Sequence, residues 1–190
     1  MKILVLDNYD SFTYNLVQIV ERILNDKVDV FRNDKIALET VKQYDKIILS
    51  PGPGIPYESG LLLPVIKEYA ASKPMLGVCL GEQGIGEVFG ATLENIPEVY
   101  HGVDTECHLT ENKSYLFNGL EKTFMVGRYH SWIVSEKNFP HHELEITAKD
   151  NEGMIMAIQH KKYDIQGVQF HPESVLTPDG ETILRNWLKK

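Results

Sequence analysis

The stretch Met75-Leu76-Gly77-Val78-Cys79-Leu80-Gly81-Glu82-Gln83-Gly84 constrains the fold of this chain more than any other. A short apolar run, a buried-strand candidate over Met75–Val78, leads at once into a helical pattern near Gln83–Phe89. Glycines two before and two after Cys79 give the G-x-nucleophile-x-G arrangement of a nucleophile elbow, with Cys in place of Ser. The sharp turn brings neighbouring backbone close, which is why small residues flank it. It thrusts the Cys79 side chain out at a helix N-terminus, where the positive end of the dipole favours a thiolate. The backbone N–H of Leu80 would point at an oxyanion formed on an attacked carbonyl. Taken alone, the stretch also admits a blander reading, in which Cys79 is a small buried hydrophobe.

A strand that turns straight into a helix needs a sheet with helices packed on it, and the first half of the chain supplies one. Ile3–Leu6, Val28–Phe31 and Ile47–Leu49 are further apolar runs of strand length. Between them, Asp10 or Ser11 can cap a helix whose stripe is Leu16, Val17, Val20, Ile23 and Leu24, and Leu61–Ala71 reads as a second helix. After Gly90 the texture changes to alternating stretches at Val103–Leu109, Glu143–Ala148 and Met154–Gln159, with a turn at Asp150–Gly153. Ile165–Phe170 is one more strand, and Glu181–Leu188 is a closing helix. The expected class is α/β, an open mixed, mainly parallel sheet flanked by helices, with antiparallel additions in the second half. Neither repeat nor linker divides residues 1–190, so a single domain is expected.

Composition narrows the partners. Lys and Arg total 19 against 27 Asp and Glu, a formal charge of −8. No basic block exists to neutralise phosphates, which argues against nucleic acid and anionic membranes. Only two cysteines are present, Cys79 and Cys107, so no disulfide framework holds the chain. The apolar start is too short to span a bilayer and lacks the build of a signal peptide, so a cytoplasmic location is expected.

A nucleophilic thiol needs a base. His171-Pro172-Glu173 follows the strand at Ile165–Phe170, at the strand end where open α/β sheets place their sites. Pro172 stiffens the loop, and Glu173 could orient and stabilise the imidazolium, a triad recognised by roles rather than chain order. His101, His141 and His142 lie in turns or polar loops, and His160 beside Lys161-Lys162 reads as solvated. Only His130, in Arg128-Tyr129-His130-Ser131, is a further candidate for site proximity. Metal-ligand spacing is lacking, so no metal is expected. Cys107, in an alternating strand pattern, reads as packing. The loop Ser50-Pro51-Gly52-Pro53-Gly54 ends another strand without phosphate-loop spacing. It can instead present a second oxyanion donor, and Gly52 is favoured because prolines lack the N–H proton.

Together, the Pro-Gly-Pro-Gly loop, Gly77-Val-Cys-Leu-Gly81 with Gln83, and Phe170-His-Pro-Glu-Ser174 resemble the class I (triad) glutamine amidotransferases, in family order and across the whole chain. Asp7-Asn-Tyr-Asp-Ser-Phe-Thr-Tyr-Asn-Leu16 and Arg128-Tyr-His-Ser131 look like the glutaminase subunits that partner chorismate-using synthases, those of anthranilate synthase (component II) first and of aminodeoxychorismate synthase second. The resemblance implies glutamine hydrolysis through a Cys79 thioester, with His171 as base and then acid, Glu173 holding His171, and an oxyanion hole of Gly52 and Leu80. It implies that glutamine is bound by Gly52, Gln83, Ser131 and Trp132, and that ammonia passes to the synthase subunit. No cofactor is implied for this chain, and magnesium only for the partner.

Two positions depart from the family. Glu82 stands where His is frequent, and Trp132 where Leu usually follows the His-Ser pair. Glu82 is expected to point away from Cys79, and Trp132 to narrow the glutamine pocket or to pack differently. A non-catalytic scaffold relative would have lost Cys79, His171 or Glu173, and this chain retains all three.

Overall fold

Ile3 and Val5 of strand β1 (Ile3–Asp7) point into one hydrophobic core, while Leu4 and Leu6 point into another. A strand covered on both faces has to be apolar throughout, which is why this run shows no polar alternation. The computed structural model describes residues 1–190. After β1 come α1 (Thr13–Leu24), β2 (Asp29–Arg32), β3 (Lys46–Leu49), α2 (Leu62–Tyr69), β4 (Met75–Val78) and α3 (Leu80–Val88). The second half contains β5 (Leu93–Asn95), β6 (Val103–Leu109), β7 (Thr123–Arg128), β8 (Trp132–Val134), β9 (Leu144–Asp150), β10 (Ile155–His160), β11 (Ile165–Val168) and α4 (Gly180–Lys189).

Nine strands form one sheet in the order β2-β1-β3-β4-β11-β10-β9-β6-β7, and β5 pairs with β8 as a separate ribbon. Pairings from β2 to β11 are parallel, and those from β11 to β7 are antiparallel. Leu16, Val17 and Val20 of α1 share one face with Ile183, Leu184 and Trp187 of α4. Leu62, Val65 and Ile66 of α2 cover the other face with Leu80 and Ile85 of α3. Each such side chain, once fully buried, contributes about 1.5–3 kcal/mol of transfer free energy. No helix is long and apolar enough to cross a membrane.

Local departures from expectation have identifiable causes. The third helix begins at Leu80 rather than near Gln83, because α3 starts directly out of the elbow. At α1 neither Asp10 nor Ser11 is the cap. Phe12 takes that position, and the Asp10 carboxylate instead accepts the Phe12 N–H at 2.7 Å. Strands β5, β7 and β8 were not foreshadowed by the pattern. In β7 the fully buried Arg128 puts a charged residue where periodicity expects an apolar one.

The far edge strand of the sheet returns to the site. The end of β7 reaches the loop after β11, where the His171 N–H donates to the Gly127 carbonyl at 3.0 Å. Gly127 N–H in turn donates to Thr177 Oγ1 at 2.9 Å, and that hydroxyl donates to the His171 carbonyl at 2.7 Å.

Candidate active site

Four adjacent parallel strands, β1, β3, β4 and β11, end on the same edge of the sheet, and the segments leaving them build the site. This is the carboxyl edge, where doubly wound sheets bind ligands. Cys79 leaves β4 with φ +53°, a conformation that L residues rarely adopt. Two glycines make that turn sterically feasible. A Cβ on Gly77 would lie 2.5 Å from the Gly81 carbonyl carbon, and one on Gly81 would lie 2.3 Å from the Leu49 carbonyl oxygen. Both contacts are with backbone, so neither position admits a side chain. The Cys79 N–H is anchored to the Val168 carbonyl of β11 at 2.8 Å, and its carbonyl accepts the Gln83 N–H at 3.0 Å.

His171 is buried, and its Nδ1 pairs with Glu173 Oε1 at 2.7 Å. Nδ1 therefore carries the proton shared with the carboxylate, and Nε2 is left for the thiol. Nε2 falls short of hydrogen-bond geometry in the resting site, yet Cys79 acts on its charge. Such contacts are commonly loose before substrate arrives. Burial opposes charge on the imidazole, but Cys79 and Glu173 outweigh it and push His171 well above its ordinary range. Aromatic rings enclose this pair. Tyr129 lies 4.8 Å and Phe12 5.7 Å from His171, centroid to centroid.

The loop after β3 supplies the opposite wall. A Cβ on Gly52 would lie 2.6 Å from Asn8 Cβ, the Asn8 carbonyl oxygen and Leu80 Cδ2, so only glycine fits between these segments. Its N–H makes no hydrogen bond within the protein. Leu80 opens α3, and the first N–H groups of a helix lack intrahelical acceptors. The site thus has two backbone donors, at Gly52 and Leu80, available to an oxyanion.

Gln83 and Trp132 also come together, because Gln83 Nε2 donates to the Trp132 carbonyl at 2.8 Å. The neighbouring Ser131 carbonyl accepts the Ile96 N–H at 2.8 Å, which fixes this segment in place. His130 lies behind it. Arg128 Nε donates to His130 Nε2 at 3.1 Å, so His130 must donate through Nδ1 to the Trp132 carbonyl, 3.0 Å away. Burial and then the Arg128 charge lower His130 to a pKa of about 3, which keeps it neutral.

Other residues are sorted as plainly. Cys107 is fully buried, and burial pushes its thiol up. His160 is not solvated as its lysine neighbours suggest. It is buried between Phe89 and Tyr163, with Nδ1 accepting the Lys162 and Tyr163 N–H groups. Glu82 turns onto the sheet, where its Cγ lies 2.6 Å from the position of a Cβ on Gly167. It is completely buried with neither carboxyl oxygen hydrogen-bonded, and burial raises its pKa well above the ordinary range. Burial therefore favours its protonated form over a negative charge in the first turn of α3. No group of three His, Cys, Asp or Glu side chains is arranged to hold a metal ion.

The sequence reading missed Gln169, which is fully buried and donates through Nε2 to Cys79 Sγ at 3.5 Å. Its place at the end of a strand beside the elbow was the available signal.

An elbow cysteine facing a His–Glu pair, with two backbone donors opposite, defines a thiol-dependent acyl-transfer site. The chain belongs to the class-I glutamine amidotransferase family, whose model matches residues 4–190, and it is a glutamine amidotransferase. It is 46% identical over 192 residues to anthranilate synthase beta subunit 1 of Arabidopsis thaliana, covering 98% of this chain and 69% of that one. It is 47% identical over 189 residues to anthranilate synthase component 2 of Cyanophora paradoxa, covering 98% and 97%. A solved glutamine amidotransferase from Thermotoga maritima shares the fold at a TM-score of 0.80 and 15% identity, covering 100% of this chain and 96% of that one.

Proposed function

We propose that the chain is the glutaminase subunit of an anthranilate synthase, serving tryptophan biosynthesis. It hydrolyses glutamine at Cys79 and delivers ammonia to a chorismate-using synthase subunit. The single observation that carries the chemistry is the elbow cysteine set against the His171–Glu173 pair. The relatives named for anthranilate synthase support that product over the aminodeoxychorismate of folate synthesis.

The Cys79 thiol proton passes to His171 Nε2, and the Sγ thiolate attacks the side-chain amide carbon of glutamine. The oxyanion forms opposite, within reach of the Gly52 and Leu80 N–H groups. Collapse breaks the C–N bond, and His171 returns the proton to the departing ammonia, leaving a γ-glutamyl thioester. His171 then draws a proton from water, which attacks the thioester and frees glutamate and Cys79. Glu173 holds the imidazole and stabilises its charge throughout. Gln83 directs both its amide protons to protein carbonyls, and its Oε1 accepts no hydrogen bond from the protein. That oxygen suits a donor on the bound glutamine, beside the backbone of Ser131 and Trp132. The chain works in the cytoplasm as part of a heteromer, and any magnesium belongs to the synthase subunit.

The test mixes the chain with its chorismate-using partner and follows anthranilate by fluorescence, with glutamine or with ammonium as nitrogen source. Cys79→Ser abolishes formation from glutamine and leaves formation from ammonium intact. Full glutamine-dependent activity in Cys79→Ser would refute the mechanism, and aminodeoxychorismate rather than anthranilate as the product would refute the pathway.

A further inference from the structure

We propose that Gln169 is a further catalytic residue, whose amide N–H holds the Cys79 sulfur as a thiolate aimed at the substrate, with Gln83 fixing the orientation of that amide. This rests on Cys79 being the nucleophile.

An amide can face sulfur with either end, and only the nitrogen end favours a thiolate. The surrounding bonds decide which. The Trp132 carbonyl can only accept, so the Gln83 atom 2.8 Å from it is Nε2. The same Nε2 lies 3.1 Å from Gln169, and a donor there requires Gln169 Oε1. Gln169 Nε2 is then turned towards Cys79 Sγ at 3.5 Å. Flipping the amide would set nitrogen against nitrogen at Gln83 and oxygen against the thiolate at Cys79. Gln169 is fully buried and Gln83 is 2% exposed, so water cannot compensate for either loss. The Gln169 backbone N–H also donates to the Met156 carbonyl at 2.9 Å, which pins the residue to β10.

The division of labour with His171 is clear-cut. His171 receives the thiol proton at Nε2, while Gln169 keeps both of its own and supplies only the hydrogen bond. A donor from a second direction restricts the rotation of Sγ about the Cα–Cβ bond, so the sulfur is positioned as well as ionised. The motif reading gave no role to this amide because a glutamine at a strand end has no acid–base chemistry of its own. Gln83, which the family resemblance assigns to substrate, thereby acquires a second task on the nucleophile.

The test is alkylation of the folded chain by iodoacetamide, followed by intact mass from about pH 6 to about pH 10, a span that brackets an ordinary thiol. Wild type is compared with Gln169→Leu and Gln169→Met, and Cys79→Ser gives the background from the buried Cys107. Both Gln169 variants should alkylate about tenfold more slowly at neutral pH, with the midpoint of the profile about one pH unit higher, as expected for losing one hydrogen bond to a charged group. At the alkaline end the variant rates should converge on wild type. Gln169→Met keeps an unbranched side chain of similar length and adds no charge beside the sulfur, so it decides the matter if Gln169→Leu does not fold. In glutamine turnover the expected signature is a fall in kcat of about tenfold with KM held within about twofold. A folded variant whose alkylation profile matches wild type overturns the proposal, because a merely space-filling Gln169 would leave the thiol's titration unmoved. The two readings fail separately. Alkylation judges the hydrogen bond without any turnover, whereas the Cys79→Ser assay judges the nucleophile without reference to Gln169.

Discussion

Glu82 makes a quantitative case for how burial governs this fold. Its side chain is fully buried over Gly167, neither carboxyl oxygen has a partner, and burial alone raises its pKa well above the ordinary carboxyl range. No charged neighbour contributes. The folded state therefore holds a proton that the unfolded chain releases near its ordinary pKa. With the folded value raised, stability is fully present below the unfolded pKa and is lost as pH rises towards the folded one. The loss amounts to about 1.4 kcal/mol for each pH unit across that window. Glu82→Met removes the titrating group and the unpartnered oxygens while keeping an unbranched side chain of similar length. The variant should be the more stable at neutral pH, by about 1–3 kcal/mol from relief of the unpaired polar group alone, and by more as pH rises. Urea unfolding followed by circular dichroism at several pH values between about 5 and about 8 gives the midpoint and slope at each. The difference between variant and parent should widen steadily with pH. A difference that stays constant, or a variant less stable at every pH, would refute the reasoning.

Two further outcomes follow from the site and its surroundings. Gly52→Ala would place a methyl group 2.6 Å from Asn8 and Leu80, displacing the backbone donor. The expected cost is about 10²-fold in kcat, read from glutamate release, with the fold retained by circular dichroism. Arg128 Nη1 pairs with Asp150 Oδ2 at 2.6 Å, and both side chains are almost wholly buried. Arg128→Met should cost about 3–5 kcal/mol in chemical denaturation by stranding the Asp150 charge, and adding Asp150→Asn should recover part of it.

Strands β1, β3, β4 and β11 of the parallel half are buried at every residue, and three of these four were legible as wholly apolar runs or nearly so, whereas the edge strand β2 is largely exposed. Met75–Val78 coincides with β4 to the residue, and Ile3–Leu6 falls one residue short of β1. The far half was harder to read. Thr123–Arg128 ends on a buried arginine that stacks on Tyr100, its guanidinium carbon 3.6 Å from the ring centroid, and hydropathy cannot anticipate such a pair. His160 was misread for a related reason. Flanking lysines suggest solvent, while Phe89 and Tyr163, distant or merely nearby in sequence, enclose the ring. At the site, residues that carry acid–base or nucleophilic chemistry stood out at Cys79, His171 and Glu173, and the last two form a buried pair at 2.7 Å. Gln169 did not stand out, since its importance lies in orientation relative to Gln83 and sulfur rather than in residue type. Phe12 and Tyr129 were similarly hidden, being ordinary aromatics until the chain folds them round His171.

The return of β7 over the loop that holds His171 has a consequence for how the chain is made. Cys79 and its elbow belong to the first half of the sequence, whereas His171 comes near the end and is tied to Gly127 of an edge strand. Contacts so distant in sequence form late, after loop closure has been achieved elsewhere. During synthesis the cysteine leaves the ribosome well before its base exists, and a domain folds as a unit once its strands are complete. The thiol therefore stays without its histidine partner until the last strands and α4 have closed the sheet. A chain truncated before β11 would carry the nucleophile without the base that takes its proton.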